Sequence, residues 1–295
     1  MQLDIPARLA FAVGALALTL GAVTASVRDT RKAAESITES GYRNLIAGLS
    51  ADDLEGREPG TVGEQRAVEY LEEQFLELGL QPVAGGGFRQ QVPLVAITAT
   101  EAKLSFRKGA GSMDLAPGND MVLGTQRVRP ESSIGGSEVV FVGYGIVAPE
   151  YGWNDYAGLD MRGKTALILV NDPGFVTGEA DLFRGKAMTY HGRWTYKFEE
   201  AGRKGAAAAL IIHDTEGASY GWDVVKNSWS GAQYDLRVAD DPTPRVPLQG
   251  WITGDAAKAL FADAGLDLDK MRAAAGKRGF KPMPLPAKAS VTLKS

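Results

Sequence analysis

Two histidines, a G-x-S-x-G pentapeptide, a G-x-G-x-x-A hexapeptide and three acid pairs are the residues whose types could do chemistry in this chain of 295 residues. His191 is followed by Gly192 and Arg193, and His213 by Asp214 and Thr215, so neither opens an H-x-D metal pair, and no H-E-x-x-H is present. Gly217-Ala-Ser219-Tyr-Gly221 matches the pattern of a nucleophile elbow after an apolar run. That elbow needs the order Ser, acid, His, and both histidines precede Ser219. With no clear helix following it, the motif reads as a Gly/Ser surface loop. Gly143-x-Gly145-x-x-Ala148 imitates a dinucleotide fingerprint, but the helix that would receive a pyrophosphate is blocked by Pro149 and a turn-rich stretch. It reads as a turn whose glycines let strands leave a sheet. Asp52-Asp53, Asp240-Asp241 and Asp267-x-Asp269 lack the oxygen count of a calcium loop, and the last fits a helix start. His213 ends an apolar run and is expected to be hydrogen-bonded locally. His191 lies in a more exposed Tyr-His-Gly-Arg-Trp cluster, which could meet a substrate or another domain, or fold over its own core.

Composition narrows the classes further. The chain is 44% hydrophobic and 23% charged, ordinary for a globular protein. A net charge of −4 and the lack of a Lys/Arg cluster leave no electrostatic case for nucleic acid. With no cysteine there is no disulfide, thiolate metal site or cysteine nucleophile. Residues 9–25, LAFAVGALALTLGAVTA, follow Arg8, carry no charge and end in small residues, so they read as a signal peptide (residues 1–25) cut before Ser26. An uncleaved anchor is the alternative, supported by Arg28, Arg31 and Lys32. The expected location is periplasmic or secreted, with no membrane association after cleavage.

The elements that must position any site follow from periodicity. Tyr42, Leu45, Ile46 and Leu49 share one face of a short helix with Ser40 as its expected N-cap. Thr61 and Glu64 form a T-x-x-E capping pair, and Ala67, Leu71, Phe75 and Leu78 make the apolar stripe of a second helix closed by Gly79. From about Val92 the period changes to that of strands. Residues 102–106 alternate, while 138–142, 164–170, 206–212, 246–252 and 287–293 read as further strands. Residues 193–204 and 255–264 read as helices, ended by Gly205 and Gly265.

Residues 49–82, LSADDLEGREPGTVGEQRAVEYLEEQFLELGLQP, resemble the opening segment of metallopeptidase family 28, the zinc aminopeptidases and their glutamate carboxypeptidase relatives. Asp53, Glu55, Gly56, Arg57, Gly60, Thr61, Gly63, Ala67, Tyr70, Leu71, Phe75, Gly79, Leu80 and Pro82 fill the slots of that run. FVGYGI (141–146), WNDYAGLDMRGK (153–164), LILVNDPG (167–174) and RWTYKFEEAGRKGAAAALIIH (193–213) resemble the protease-associated domain that such enzymes carry. The resemblance implies an α+β chain: an N-terminal helical segment (26–91), then a protease-associated sandwich- or barrel-like domain with a few helices (92–295). It implies two zinc ions held by a catalytic domain that these residues do not include, and no catalytic or metal residue within them. The implied partner is a peptide substrate or that peptidase domain. The expected function is a non-catalytic segment of an exported zinc exopeptidase, with a stand-alone peptide- or protein-binding module as the alternative.

Overall fold

Burial runs unbroken along three strands in the middle of the sequence, and the architecture follows from that. In a computed structural model, which describes residues 30–82, 86–237 and 244–295, the chain divides into two units, Met1–Gln91 and Val92–Ser295. The signal-peptide segment and Asp240-Asp241 lie outside the described residues. Among the described residues no helix is long and apolar enough to cross a membrane.

The first unit holds α1 (Glu39–Leu49), a 3-10 segment (Asp52–Arg57) and α2 (Val62–Glu77). The N-cap of α1 is Thr38, not Ser40; its hydroxyl accepts from Gly41 N. Thr38 is the residue with extended backbone before the first helical turn, whereas Ser40 already lies inside it. Thr61 caps α2 by accepting from Glu64 N, while the Glu64 carboxylate accepts from Gly60 N rather than from the cap's own amide. Gly63 must be glycine for packing, since a Cβ there would sit 2.1 Å from the Leu54 carbonyl oxygen. Leu54 and Ala67 are buried, whereas Leu71, Phe75 and Leu78 of the expected stripe are exposed.

The second unit gathers eight strands into one mixed sheet: β1 (Glu101–Lys108), β2 (Gly111–Leu115), β3 (Met121–Gly124), β4 (Glu131–Phe141), β5 (Thr165–Leu169), β6 (Ala208–Ile212), β7 (Leu248–Ile252) and β8 (Met283–Lys294). Their order is β2-β1-β8-β4-β5-β6-β7-β3. β4, β5, β6 and β7 are mutually parallel, and the remaining pairs are antiparallel. Two short pairs, Leu94–Thr98 with Ala232–Leu236 and Val147–Ala148 with Trp153–Asn154, stand apart from this sheet. The helices are α3 (Pro173–Thr177), α4 (Trp194–Arg203), α5 (Thr215–Ala218), α6 (Trp222–Ser228), α7 (Gly254–Asp263) and α8 (Leu268–Ala275). The fold class is therefore α+β, an eight-stranded sheet with a few helices.

Every residue of β5, β6 and β7 is buried. A parallel strand covered on both faces reads as an apolar run, because both sets of alternating side chains need an apolar partner. Leu167, Leu169, Leu210 and Ile212 join Phe141, Leu260 and Phe261 in one cluster. Ala166, Ile168, Ala209 and Ile211 join Phe198, Ala201 and Trp251 in the other. α7 and α8 thus cover one face and α4 the opposite one. The parallel arrangement also decides where the loops go. All of β4 to β7 end at the same edge, and that edge holds the buried polar residues Asp155, Asn171, Asp172, Lys197 and His213.

Candidate functional site

The carboxyl ends of parallel strands are where an open α/β sheet offers a ligand its crevice. Here β4 runs into Gly143-Tyr144-Gly145, β5 into Val170-Asn171-Asp172, and β6 into His213-Asp214. Gly143 and Gly145 have φ of 59° and 62°. A Cβ at Gly143 would meet Phe280 at 2.8 Å, and one at Gly145 would meet Ile168 at 2.9 Å. These glycines make the close turn that sets Tyr144 at the strand edge. The fingerprint-like spacing is a sheet exit: a three-residue 3-10 turn (Pro149–Tyr151) follows, not a helix that could receive a phosphate.

Lys197 on α4 organises this edge. It is fully buried, and its Nζ donates to the carbonyls of Tyr144 and His191, each at 2.7 Å. One lysine therefore ties the β4 exit to the turn before α4. Asp155 and Asp172 exert favourable charge on it from two further loops, but burial dominates and draws the ammonium down to about 7. Asp155 accepts from Trp153 Nε1 at 2.8 Å and from Ile146 N at 3.0 Å. Burial nonetheless lifts its carboxyl to about 7. Asp172, also wholly buried, accepts through Oδ2 from Thr189 N at 3.2 Å and Thr189 Oγ1 at 2.8 Å. Its other oxygen has no partner among the described residues, and burial raises its pKa as well. Asn171, in the left-handed region that Asn tolerates, donates from Nδ2 to the Gly217 carbonyl at 2.8 Å, which binds the β5 exit to the β6 exit.

Above this braced floor lies a cavity of about 360 Å³ lined by Tyr144, Phe175, Lys186, Asp214, Glu216 and Arg272, among others. Arg272 Nη1 lies 3.2 Å from Asp214 Oδ2. Burial pushes the Tyr144 phenol far upward, so it remains a neutral hydroxyl at any physiological pH. A larger hollow of about 780 Å³ lies beside Arg127 and Arg237. Its wall includes Arg237 and Pro244, which flank residues 238–243 in sequence, outside the described residues.

The residues singled out from sequence fall as follows. His213 is buried and its Nε2 sits 3.0 Å from the Tyr220 carbonyl oxygen. A carbonyl can only accept, so Nε2 carries a proton. His191 is partly exposed, with Nε2 2.8 Å from Glu150 Oε1 and its ring edge-on to Tyr196 and Phe183. The Tyr-His-Arg-Trp cluster thus folds largely over its own core, with Tyr190 exposed and bonded to Glu199. Ser219 sits in the left-handed region as the C-cap of α5. A seven-residue helix, α6, does follow it, contrary to the sequence reading. No side chain caps α6; it is held by packing, with Val225 buried and Trp222 and Trp229 against the sheet's core. Asp267 caps α8 by accepting from Lys270 N, and Asp52-Asp53 open the 3-10 segment.

Sequence reading missed Lys197, Asp155 and Asp172. A signal existed for the first. Trp194, Lys197, Phe198 and Ala201 recur at i, i+3, i+4, i+7, so the lysine interrupts an apolar stripe. Among the described residues no group of three or more His, Asp or Glu side chains could hold a metal ion.

No protein-family model matches the chain, and no curated protein matches it in sequence. Among solved structures it is similar to the aminopeptidase from Aneurinibacillus sp. strain AM-1, at 20% identity and a TM-score of 0.38, covering 84% of this chain and 43% of that one. The chain spans less than half the length of that enzyme. Agreement at this level is too loose to transfer an activity or a residue role.

Proposed function

We infer that this chain is a non-catalytic segment of an exported zinc-dependent exopeptidase, built to shape how peptides reach a peptidase domain that these residues do not include. The observation that carries the reading is the braced edge at the ends of β4, β5 and β6. Most of its buried polar groups are spent on holding loops in place: Lys197 on two carbonyls, Asp155 on an indole and an amide, Asn171 on Gly217. Neither histidine is poised as a base against a nucleophile. Braced loops around an open cavity suit the recognition of a ligand. The motif series of residues 49–82 and 141–213 supports placing that recognition beside an aminopeptidase-type active site, and residues 9–25 support export. The test is direct. The purified chain, supplied with zinc, is expected to leave aminoacyl-p-nitroanilides intact. Robust hydrolysis abolished by a chelator would overturn the reading.

The second unit's own two-faced core favours the alternative of a stand-alone exported binding module. Residues 92–295 expressed alone as a cooperative monomer that binds no hydrophobic dye would favour that module. Dye binding and aggregation would favour the segment of a larger enzyme.

A further inference from the structure

The cavity over the braced edge carries more charge than bracing uses. Its lining includes two cations, Lys186 and Arg272, and two anions, Asp214 and Glu216. Arg272 is shared between Asp214 and Asp269, at 3.2 and 3.5 Å. Among the described residues Lys186 and Glu216 form no ion pair, although they line the same small space. Beside them lie apolar walls, Phe175 and the 45% exposed Val176, and the neutral Tyr144 hydroxyl. A volume of about 360 Å³ is at the small end for ligand sites, which run from about 300 to 1,000 Å³.

Charge selects the ligand class. A bare anion would be drawn by Lys186 and Arg272 but repelled by Asp214 and Glu216. A bare cation would face the reverse. A molecule with both signs a few bonds apart satisfies all four groups, and an attached apolar group gains the Phe175–Val176 wall. We propose that this cavity binds a small zwitterion of the α-amino-acid type, its carboxylate met by Arg272 and Lys186, its ammonium by Asp214 and Glu216, and an apolar side chain by Phe175 and Val176. The assignment stands on the cavity alone and holds whether or not the chain belongs to a peptidase.

The experiment is calorimetric titration of the full chain with L-leucine, N-acetyl-L-leucine and L-leucinamide. L-leucine is expected to saturate a single site. Removing the ammonium or the carboxylate is each expected to weaken binding by about tenfold or more, the worth of a charge-assisted contact. Glu216→Gln and Lys186→Met are both exposed positions outside the fold's bracing, and each is expected to weaken L-leucine binding by about fivefold or more with an unchanged circular dichroism spectrum. No saturable binding of L-leucine, equal binding of the three compounds, or full affinity in both variants would each overturn the proposal. Hydrolysis of aminoacyl-p-nitroanilides by the chain would refute the non-catalytic reading and leave this site untouched, so the two failures are separable.

Discussion

The parallel and antiparallel halves of the eight-stranded sheet obey different rules. β5, β6 and β7 are buried at every position, while β8 alternates buried with exposed or half-buried residues over its length. The parallel half has helices on both faces and must send all its carboxyl ends to one edge. That edge then needs polar side chains to bind its loops together, and Lys197, Asp155, Asp172 and Asn171 do so. In the antiparallel half, β1 pairs with β2 across a short turn and β8 with its neighbours through the ladder. Backbone pairing, interrupted only by register shifts between β8 and β4, satisfies most of it. The cavity lies where the parallel strands stop pairing with each other.

The hardest test of this contrast is Lys197→Met. It leaves the Tyr144 and His191 carbonyls without their donor, and the expected loss is about 2–5 kcal/mol in urea unfolding at pH 7. An unchanged or raised midpoint would mean that the loops hold without the lysine. Next, Leu210→Ala at the centre of β6 is expected to cost about 3 kcal/mol. Thr292→Ala on the outer side of β8 should stay within about 0.5 kcal/mol, and equal effects would erase the difference between the halves.

The pH dependence sharpens the same point. The Lys197 amine sits near 7 in the folded chain against an ordinary 10.5, so between those values the unfolded chain binds more protons. Stability should therefore rise with pH across that window, fully gained above about 10.5 and lost as pH falls to about 7. Asp155, raised to about 7 from 3.8, makes stability fall with pH between those values and adds little further slope above them. From pH 7 to 9 the native chain is expected to gain roughly 1–2 kcal/mol that Lys197→Met does not. The same slope in both proteins would show that the buried amine is not what titrates. Smallest among the effects on the parallel half, Thr253→Ala removes the hydroxyl that accepts from Ala256 N at the start of α7, for about 1 kcal/mol, read as a modest fall in Tm.

Much of the fold was legible because period and burial coincide. Residues 166–170 and 206–212 are apolar at both parities, and the strands read there became β5 and β6, while the stretch 193–204 became α4. β8 was legible only from 287. It begins at Met283 and includes Pro284 and Pro286, which sequence reasoning excludes from a strand. Its pairing to β4 breaks register between Pro284 and Lys288, so the prolines sit where the ladder is interrupted. The first half of β4, with Gly135 and Gly136, was hidden for a like reason, since glycine carries no side chain to show a period. The candidate site was barely legible. Lys197 could be suspected only as a charge in an apolar stripe, and nothing in GWNDY or VNDPG shows which aspartate is buried.

By itself the sequence determined which stretches must hide from water and where the turns fall, because these depend on neighbours within a few residues. Only the tertiary structure decided that Tyr144, Lys186, Asp214, Glu216 and Arg272 line one cavity and that a lysine lies beneath it. Those groups meet because parallel strands return to the same edge, a consequence of long-range pairing that no local pattern encodes.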